Sequence, residues 1–119
     1  MATFSKTVFS GSTDGKGIKV AATATAGTLV HTGSATAATL HEVWLYAVNS
    51  SATDVKLTIE WGEATAPDGN IEYTVKAENG LYLIIPGLIL KGNATALTIK
   101  AFAGTANVIV VHGYVNVIA

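Results

Sequence analysis

The chain has 119 residues, of which half are hydrophobic and 13% are charged, and its net charge is −1. Its seven basic residues are all lysines that stand singly in the sequence, so it lacks the basic stripe and the arginines with which proteins hold phosphates and contact bases. It has no cysteine, which excludes disulfides and thiolate chemistry. Nucleic acid is therefore not an expected partner.

The composition and the pattern of turns predict an all-β fold. A chain of this length forms one domain with a real core, and its many Ala, Val and Thr residues suit strand faces better than long helices. Alternating apolar residues, separated by Gly, Asn, Asp and Pro, predict eight or nine short strands in a single compact antiparallel β-sandwich, jelly-roll-like. The predicted spans are 3–9, 18–22, 28–32, 42–49, 55–61, 71–75, 81–85, 97–103 and 108–117.

The N-terminal residues 1–17 differ from the rest of the chain. Their large apolar side chains are Phe4, Val8 and Phe9, and the stretch that follows, SGSTDGKG, is rich in loop-forming residues. The segment is predicted either as an extendable arm with a Gly/Ser hinge or as the first strand. Residues 18–119 are predicted as the β-sandwich domain.

The central stretch HEVWLYAVNSSATDVKLTIEWG predicts two strands joined by a short connection, which favours a hairpin. The second strand alternates so that Trp61 is expected on its buried face and Glu60 in solvent. The first strand is apolar on both sides, so we expect it to be covered twice, with a neighbouring subunit as one possible cover. Its two sets are Val43, Leu45 and Ala47, and Trp44, Tyr46 and Val48.

The most apolar run, residues 81–90, is too short for a membrane-spanning helix, which needs about 20 residues. It contains Pro86 and Gly87, which predict two strands about a turn. No membrane association is expected.

Several reactive sites are conceivable, and each is disfavoured by its pattern. A carboxylate pair for glycoside hydrolysis needs a pocket that raises one pKa, and the sequence shows none around the available glutamates. The histidines lack the close spacing of a metal clamp. These candidates are Glu42, Glu60 and Glu63, and His31, His41 and His112.

Two loops partly resemble ion-binding motifs. Residues 11–17 approximate a phosphate loop, but Gly17 stands where a Ser or Thr would hold magnesium and no helix is predicted next. Asp68, Asn70 and Glu72 supply oxygen ligands at alternate positions, yet the rest of a calcium loop is missing. We therefore expect neither enzymatic activity nor a cofactor or metal.

The succession FSGSTDGKGIKVAATATAGTLVHT, EVWLYAVNSS, LTIEWG, LIIPGLIL and IKAFAGTANVIVVHGYVNVI resembles small virion proteins of tailed bacteriophages. The resemblance spans nearly the whole chain and implies a capsid decoration, or cement, protein. Such a protein is made in the host cytoplasm, binds the major capsid protein on the outer capsid surface and bridges capsomers, often as a homotrimer. The family carries no catalytic residues.

The expected oligomer or shell interface is formed by apolar residues of the N-terminal segment and of two doubly apolar strands. They are Phe4, Val8, Phe9, Trp44, Tyr46 and Tyr114. An alternative function is a β-sandwich carbohydrate- or receptor-binding module of a virion fibre or tail, which would need an aromatic platform. The available members of such a platform are Trp44, Trp61, Tyr73 and Tyr82.

Overall fold

The computed structural model describes residues 2–119; Met1, the first residue of the predicted N-terminal segment, lies outside the described residues. Within this described range, nine antiparallel strands form two sheets, so the predicted all-β sandwich is confirmed. Sheet A has the order β1-β9-β4-β7, with β2 also paired to β9, and sheet B has the order β3-β8-β5-β6. Among residues 2–119, no helix is long and apolar enough to cross a membrane. The strands are β1 (Phe4–Val8), β2 (Ile18–Lys19), β3 (Thr28–Thr32), β4 (Leu40–Asn49), β5 (Val55–Trp61), β6 (Asn70–Val75), β7 (Tyr82–Lys91), β8 (Thr98–Ala103) and β9 (Ile109–Ile118).

The strand pairing is nested in the manner of a jelly roll. β2 pairs with β9, β3 with β8, β4 with β7 and β5 with β6, and these four pairs alternate between the two sheets. The sequence behaves as one long hairpin that is wrapped around a core. Consecutive strands β4 and β5 therefore lie in different sheets, and the predicted hairpin between them is wrong.

The core lies between the inner faces of the two sheets. In β4, buried and half-buried residues alternate over all ten positions, with Val43, Leu45 and Ala47 fully inside. Leu57 and Ile59 of β5 close the core from sheet B. Most of the buried apolar residues are Val, Ile or Ala, so few side-chain rotamers have to be fixed when the core forms.

The run around Pro86 is one strand, not the two strands about a turn that its Pro-Gly pair predicts. β7 continues from Tyr82 to Lys91 along β4, with register shifts on either side of the pair Trp44 and Leu45. β7 is an edge strand of sheet A, where a proline without an N–H can be accommodated. Gly87 has a φ of 82°, which lets the strand bulge without ending.

Glu60 is on the outer face of sheet B as the alternation predicts, but it is buried and not in solvent, with 2% of its surface exposed. The loop before β3 covers it: Gly27 N–H donates to Glu60 Oε1 at 2.7 Å, and the Thr25 hydroxyl donates to Oε2. Trp61 is only half-buried and packs against the edge of the core. A carboxylate that satisfies two donors of a folded-back loop has no signature in strand periodicity.

The N-terminal segment belongs partly to each sheet. β1 pairs with the C-terminal half of β9, and β2 pairs with the same edge of β9 near Val110 and Val111. Between them the chain leaves sheet A, and Gly11 N–H donates to Val30 O on β3 at 2.9 Å. The segment therefore closes one side of the sandwich.

The loop anchored by Glu60 gives a testable consequence for stability. We expect Glu60→Ala to lower the free energy of unfolding by about 1 to 3 kcal/mol, because the loop loses the buried acceptor of two part-buried hydrogen bonds. Glu63→Ala serves as the control, because Glu63 is exposed in the loop after β5, three residues after Glu60. It should change the free energy of unfolding by less than about 0.5 kcal/mol. Urea denaturation measures both; equal effects would contradict the assigned role of Glu60.

Candidate functional site

The outer face of sheet A carries most of the predicted interface residues. Trp44 and Tyr46 alternate with the buried Val43, Leu45 and Ala47, so they point away from the core. The antiparallel register places side chains of β1 and β9 beside them on the same face. We call this surface the outer face of sheet A; its principal residues are Phe4, Lys6, Val8, Glu42, Trp44, Tyr46, Tyr114 and Asn116.

A row of stacked groups crosses this face. The rings of Trp44 and Tyr114, which are direct cross-strand partners, lie 6.3 Å apart between centroids with 12° between their planes. Lys6 Nζ lies 5.0 Å from the centroid of the Tyr114 ring, in a cation–π arrangement. Gly87 lies on the other side, against the six-membered ring of Trp44. The row ties β1, β9, β4 and β7 together across the sheet.

Glu42 is held in a fixed orientation beside this row. Its Oε1 accepts hydrogen bonds from Trp44 Nε1 at 2.9 Å and from Asn116 Nδ2 at 2.7 Å. These two donors lower the pKa of the Glu42 carboxyl, because they favour its charged form. The carboxylate is thus charged near neutral pH and adjoins a surface hollow of about 400 Å³ lined by Phe4, Lys6, Asn116 and others.

Phe9 differs from the other predicted interface residues. Its side chain is inside the sandwich with 1% of its surface exposed, whereas Phe4 is 74% exposed. The ring enters where β9 has no side chain: a Cβ at Gly113 would lie 2.8 Å from Phe9 Cε2. Its other neighbour is His31, with ring centroids 5.9 Å apart. Phe9 therefore anchors the N-terminal segment in the core.

The glutamates do not converge on a reactive centre. Glu42 lies on the outer face of sheet A and Glu60 on the outer face of sheet B, so both sheets separate them. Packed sheets are about 10 Å apart, and the two carboxylates point away from one another. Glu63 is exposed in the loop after β5. No two of the three share a pocket.

Two of the histidines are brought together inside the sandwich, which the sequence did not indicate. His31 Nε2 and His41 Nδ1 are 2.8 Å apart, and the Ser10 N–H donates to His31 Nδ1 at 3.1 Å. Burial, followed by the neighbouring His41, lowers the pKa of His31 to about 4, and burial also lowers the pKa of His41. Both rings are neutral at pH 7.

A bulge explains why His31 is buried. In the β3–β8 register Leu29 pairs with Lys100 and His31 with Ile99, so Val30 is an extra residue. The insertion returns His31 to the inner face, directly after the buried Val30. Two consecutive buried residues violate strict alternation, and the position of a bulge is not encoded in a simple pattern.

The remaining ionic candidates take part in ordinary local contacts. Glu72 pairs with Lys56 at 3.0 Å on the outer side of sheet B. In residues 11–17, which only approximate a phosphate loop, Ser12 Oγ donates to Lys16 O at 2.6 Å within a turn that leads into β2. Across residues 2–119, no group of three or more histidine, cysteine, aspartate or glutamate side chains is placed to hold a metal ion.

Two of the four platform aromatics meet at the opposite edge of the sandwich. Tyr73 of β6 and Tyr82 of β7 stack with centroids 4.9 Å apart and 10° between their planes. A hydrogen bond with Tyr82 raises the pKa of Tyr73. An apolar cleft of about 260 Å³ between the same two edge strands is lined by Ile71 and by residues 84–88, and not by the two tyrosines. Trp61, at the end of sheet B, does not join Trp44.

Comparison of the chain with protein-family models, with curated proteins and with solved structures gave no match.

The contrast between Phe4 and Phe9 can be measured. We expect Phe9→Ala to destabilise the fold by about 3 to 5 kcal/mol, as for other buried phenylalanines. Phe4→Ala, the matched exposed variant, should change the free energy of unfolding by less than about 0.5 kcal/mol. Chemical denaturation of both variants tests the assignment, and a mild effect of Phe9→Ala would place that ring outside the core.

Proposed function

We propose that the protein is a non-enzymatic structural protein of a virion, of the capsid decoration or cement type. It binds the major capsid protein on the outer capsid surface and stabilises the shell by bridging capsomers. It acts as a homo-oligomer, with a trimer as the expected form. The outer face of sheet A is the surface that meets another chain.

The observation that carries this proposal is an asymmetry between the two outer faces of the sandwich. Sheet B is covered by the chain's own loop at Thr58 and Glu60, and its exposed part bears the Lys56–Glu72 ion pair. Within residues 2–119, no such loop covers Trp44, Tyr46 and Tyr114 on sheet A, and the three side chains are only half-buried. Broad apolar surface on one face is typical of a protein interface.

The size of the molecule is compatible with this role. Its dimensions are 48 × 27 × 21 Å, so a broad face of the sandwich has an outline of about 1,300 Å², against roughly 800 Å² per partner in a standard interface. The outer face of sheet A also has the composition of interface centres, which are enriched in Trp and Tyr and poor in charge. Lys6 and Glu42 are its charged groups near the aromatic row.

The jelly-roll order adds a separate argument by analogy. Viral capsid domains and lectin domains both use this fold. A fold alone does not define a function. The order of strands is therefore compatible both with a capsid decoration protein and with a carbohydrate- or receptor-binding module, and it does not distinguish between them. The choice rests on the outer face of sheet A.

A charged substitution on the outer face of sheet A tests the proposal. We expect Tyr46→Lys to abolish the oligomer in light scattering and to reduce occupancy on undecorated shells at least about tenfold, since an unpaired charge would be buried in the interface. Tyr82→Lys at the far edge is the control and should leave both unchanged. Thermal melting confirms that each variant is folded.

Two results would contradict the proposal. One is a wild-type protein that is monomeric both in solution and in a cryo-electron microscopy reconstruction of the particle. The other is full shell occupancy by folded Tyr46→Lys.

The hollow beside Glu42 favours a second candidate, a carbohydrate- or receptor-binding module of a virion fibre or tail. It combines an exposed aromatic ring, Phe4, with a fixed carboxylate, an amide and an ammonium, from Glu42, Asn116 and Lys6. Apolar walls with a few oriented polar groups are typical of small-ligand sites.

A glycan array tests this alternative. If it holds, the protein binds a defined glycan, and Asn116→Ala weakens binding at least about tenfold through the loss of one positioned polar contact. Asn93→Ala, at an exposed loop position, is the control. An array without hits, together with protein density on the shell, rejects the module.

A further inference from the structure

The histidine pair inside the sandwich connects three parts of the chain. His31 is on β3 of sheet B, His41 is on β4 of sheet A, and Ser10 is in the N-terminal segment. Thr32 N–H donates to Ser10 Oγ at 2.7 Å, so residue 10 is bound to β3 through both its backbone and its side chain. The segment that leads from β1 to β2 is thus fastened at the histidines.

The hydrogen bonds fix the protonation state of both rings. A backbone N–H can only donate, so Nδ1 of His31 must be an unprotonated acceptor. The His31 proton is then on Nε2, which donates to His41 Nδ1 across the 2.8 Å contact. His41 consequently carries its proton on Nε2. The arrangement exists only when both imidazoles are neutral.

An added proton has no position that preserves this chain of bonds. On His31 Nδ1 it would face the Ser10 N–H. On His41 Nδ1 it would face the His31 Nε2–H, unless the His31 proton moved to Nδ1 and again faced Ser10. Every route sets two donors against each other, which leaves at least one buried group unpaired.

In the part of the chain that the structure describes, the neighbours of the pair offer no compensating charge. At the register positions next to the pair lie Ile99 of β8, Leu90 of β7 and Val117 of β9, and Phe9 packs on His31. The charged residues adjacent in sequence to these positions alternate to the outer faces, and Asp14 and Lys16 of the N-terminal segment are exposed. Those alternating residues are Glu42, Lys91 and Lys100.

We propose that Ser10, His31 and His41 form a proton-sensitive clasp that holds the N-terminal segment across the two sheets and releases it in mild acid. On release, Phe9 leaves the core, β1 loses its tether, and the edge of β9 becomes free to accept another strand. This inference does not rest on the proposed virion role, because it concerns the chain's own closed and open forms.

The direction and size of the effect follow from linkage. His31 titrates near 4 when clasped and near 6.5 when free, so the open form binds more protons between these values and gains population as pH falls. The closed form is fully favoured above about pH 6.5. At pH 5 the open-to-closed ratio should rise by about 10- to 30-fold relative to pH 7.5.

Amide hydrogen exchange on the full chain at pH 7.5 and 5.0, corrected for intrinsic exchange rates, tests the clasp. We expect protection of the Ser10, Gly11 and Thr32 amides to fall about 10- to 30-fold at pH 5.0. Amides of the β5–β8 ladder that exchange through local opening, without release of the histidines, should change less than about threefold. Unchanged clasp amides, or an equal loss in every strand, would overturn the proposal.

Matched variants assign the response to the pair. In His31→Asn the amide oxygen can replace Nδ1 as acceptor for Ser10 but cannot be protonated, so the pH dependence of the clasp amides should disappear. His41→Asn keeps an acceptor for His31 Nε2 and should reduce the dependence if His31→Asn does not fold. His112→Asn, on the outer face of sheet A, is the control and should behave as the wild type. A wild-type pH response in both pair variants would refute the clasp.

Discussion

The contact between His31 and His41 is the constraint on which the arrangement of the N-terminal segment depends. It joins the inner faces of the two sheets through a hydrogen bond of 2.8 Å, and it orients the nitrogen that receives Ser10 N–H. From that point the chain runs back through Phe9 to β1, which places Lys6 over the Tyr114 ring on the other side of sheet A. A polar contact in the core is thus connected through the N-terminal segment to the position of Lys6 on the outer face of sheet A.

The outer faces of the two sheets are covered differently. Sheet B uses the buried Glu60 carboxylate to hold a loop over its own outer face. Sheet A uses its outer positions for aromatic side chains that stack on one another and on Lys6. In the function that we propose, the aromatic face of sheet A meets a partner and the ion-paired face of sheet B remains in solvent.

Strand periodicity predicted the fold class and most strand positions because burial on a sheet repeats every two residues. It separated Val43, Leu45 and Ala47 from Trp44 and Tyr46 on opposite faces of their strand, and the structure shows that the first set is the inner one. It failed where a local event breaks the period: the bulge at Val30, the continuation of β7 through Pro86, and the loop over Glu60. Each of these three features depends on contacts between residues that are far apart in the sequence, so a short stretch of sequence does not predict it.

The candidate site was predictable to the same extent. The aromatic residues of β4 and β9 were identified because a strand that is apolar on both sides needs two covers. The approach of His31 to His41 was not, since the two residues belong to different sheets and their ten-residue separation has no regular meaning in a sandwich. The fixed orientation of Glu42 likewise arises only once Asn116 is beside it.

The central claim is that a neutral, interlocked histidine pair fastens the N-terminal segment. Nitrogen-15 NMR of the imidazoles at pH 7 tests it most directly, because the nitrogen shifts distinguish the two neutral tautomers from the imidazolium. The account predicts that His31 and His41 are both protonated on Nε2 alone, with a coupling across the hydrogen bond from His31 Nε2 to His41 Nδ1. A proton on Nδ1 of His31, or an imidazolium at either residue, would contradict it.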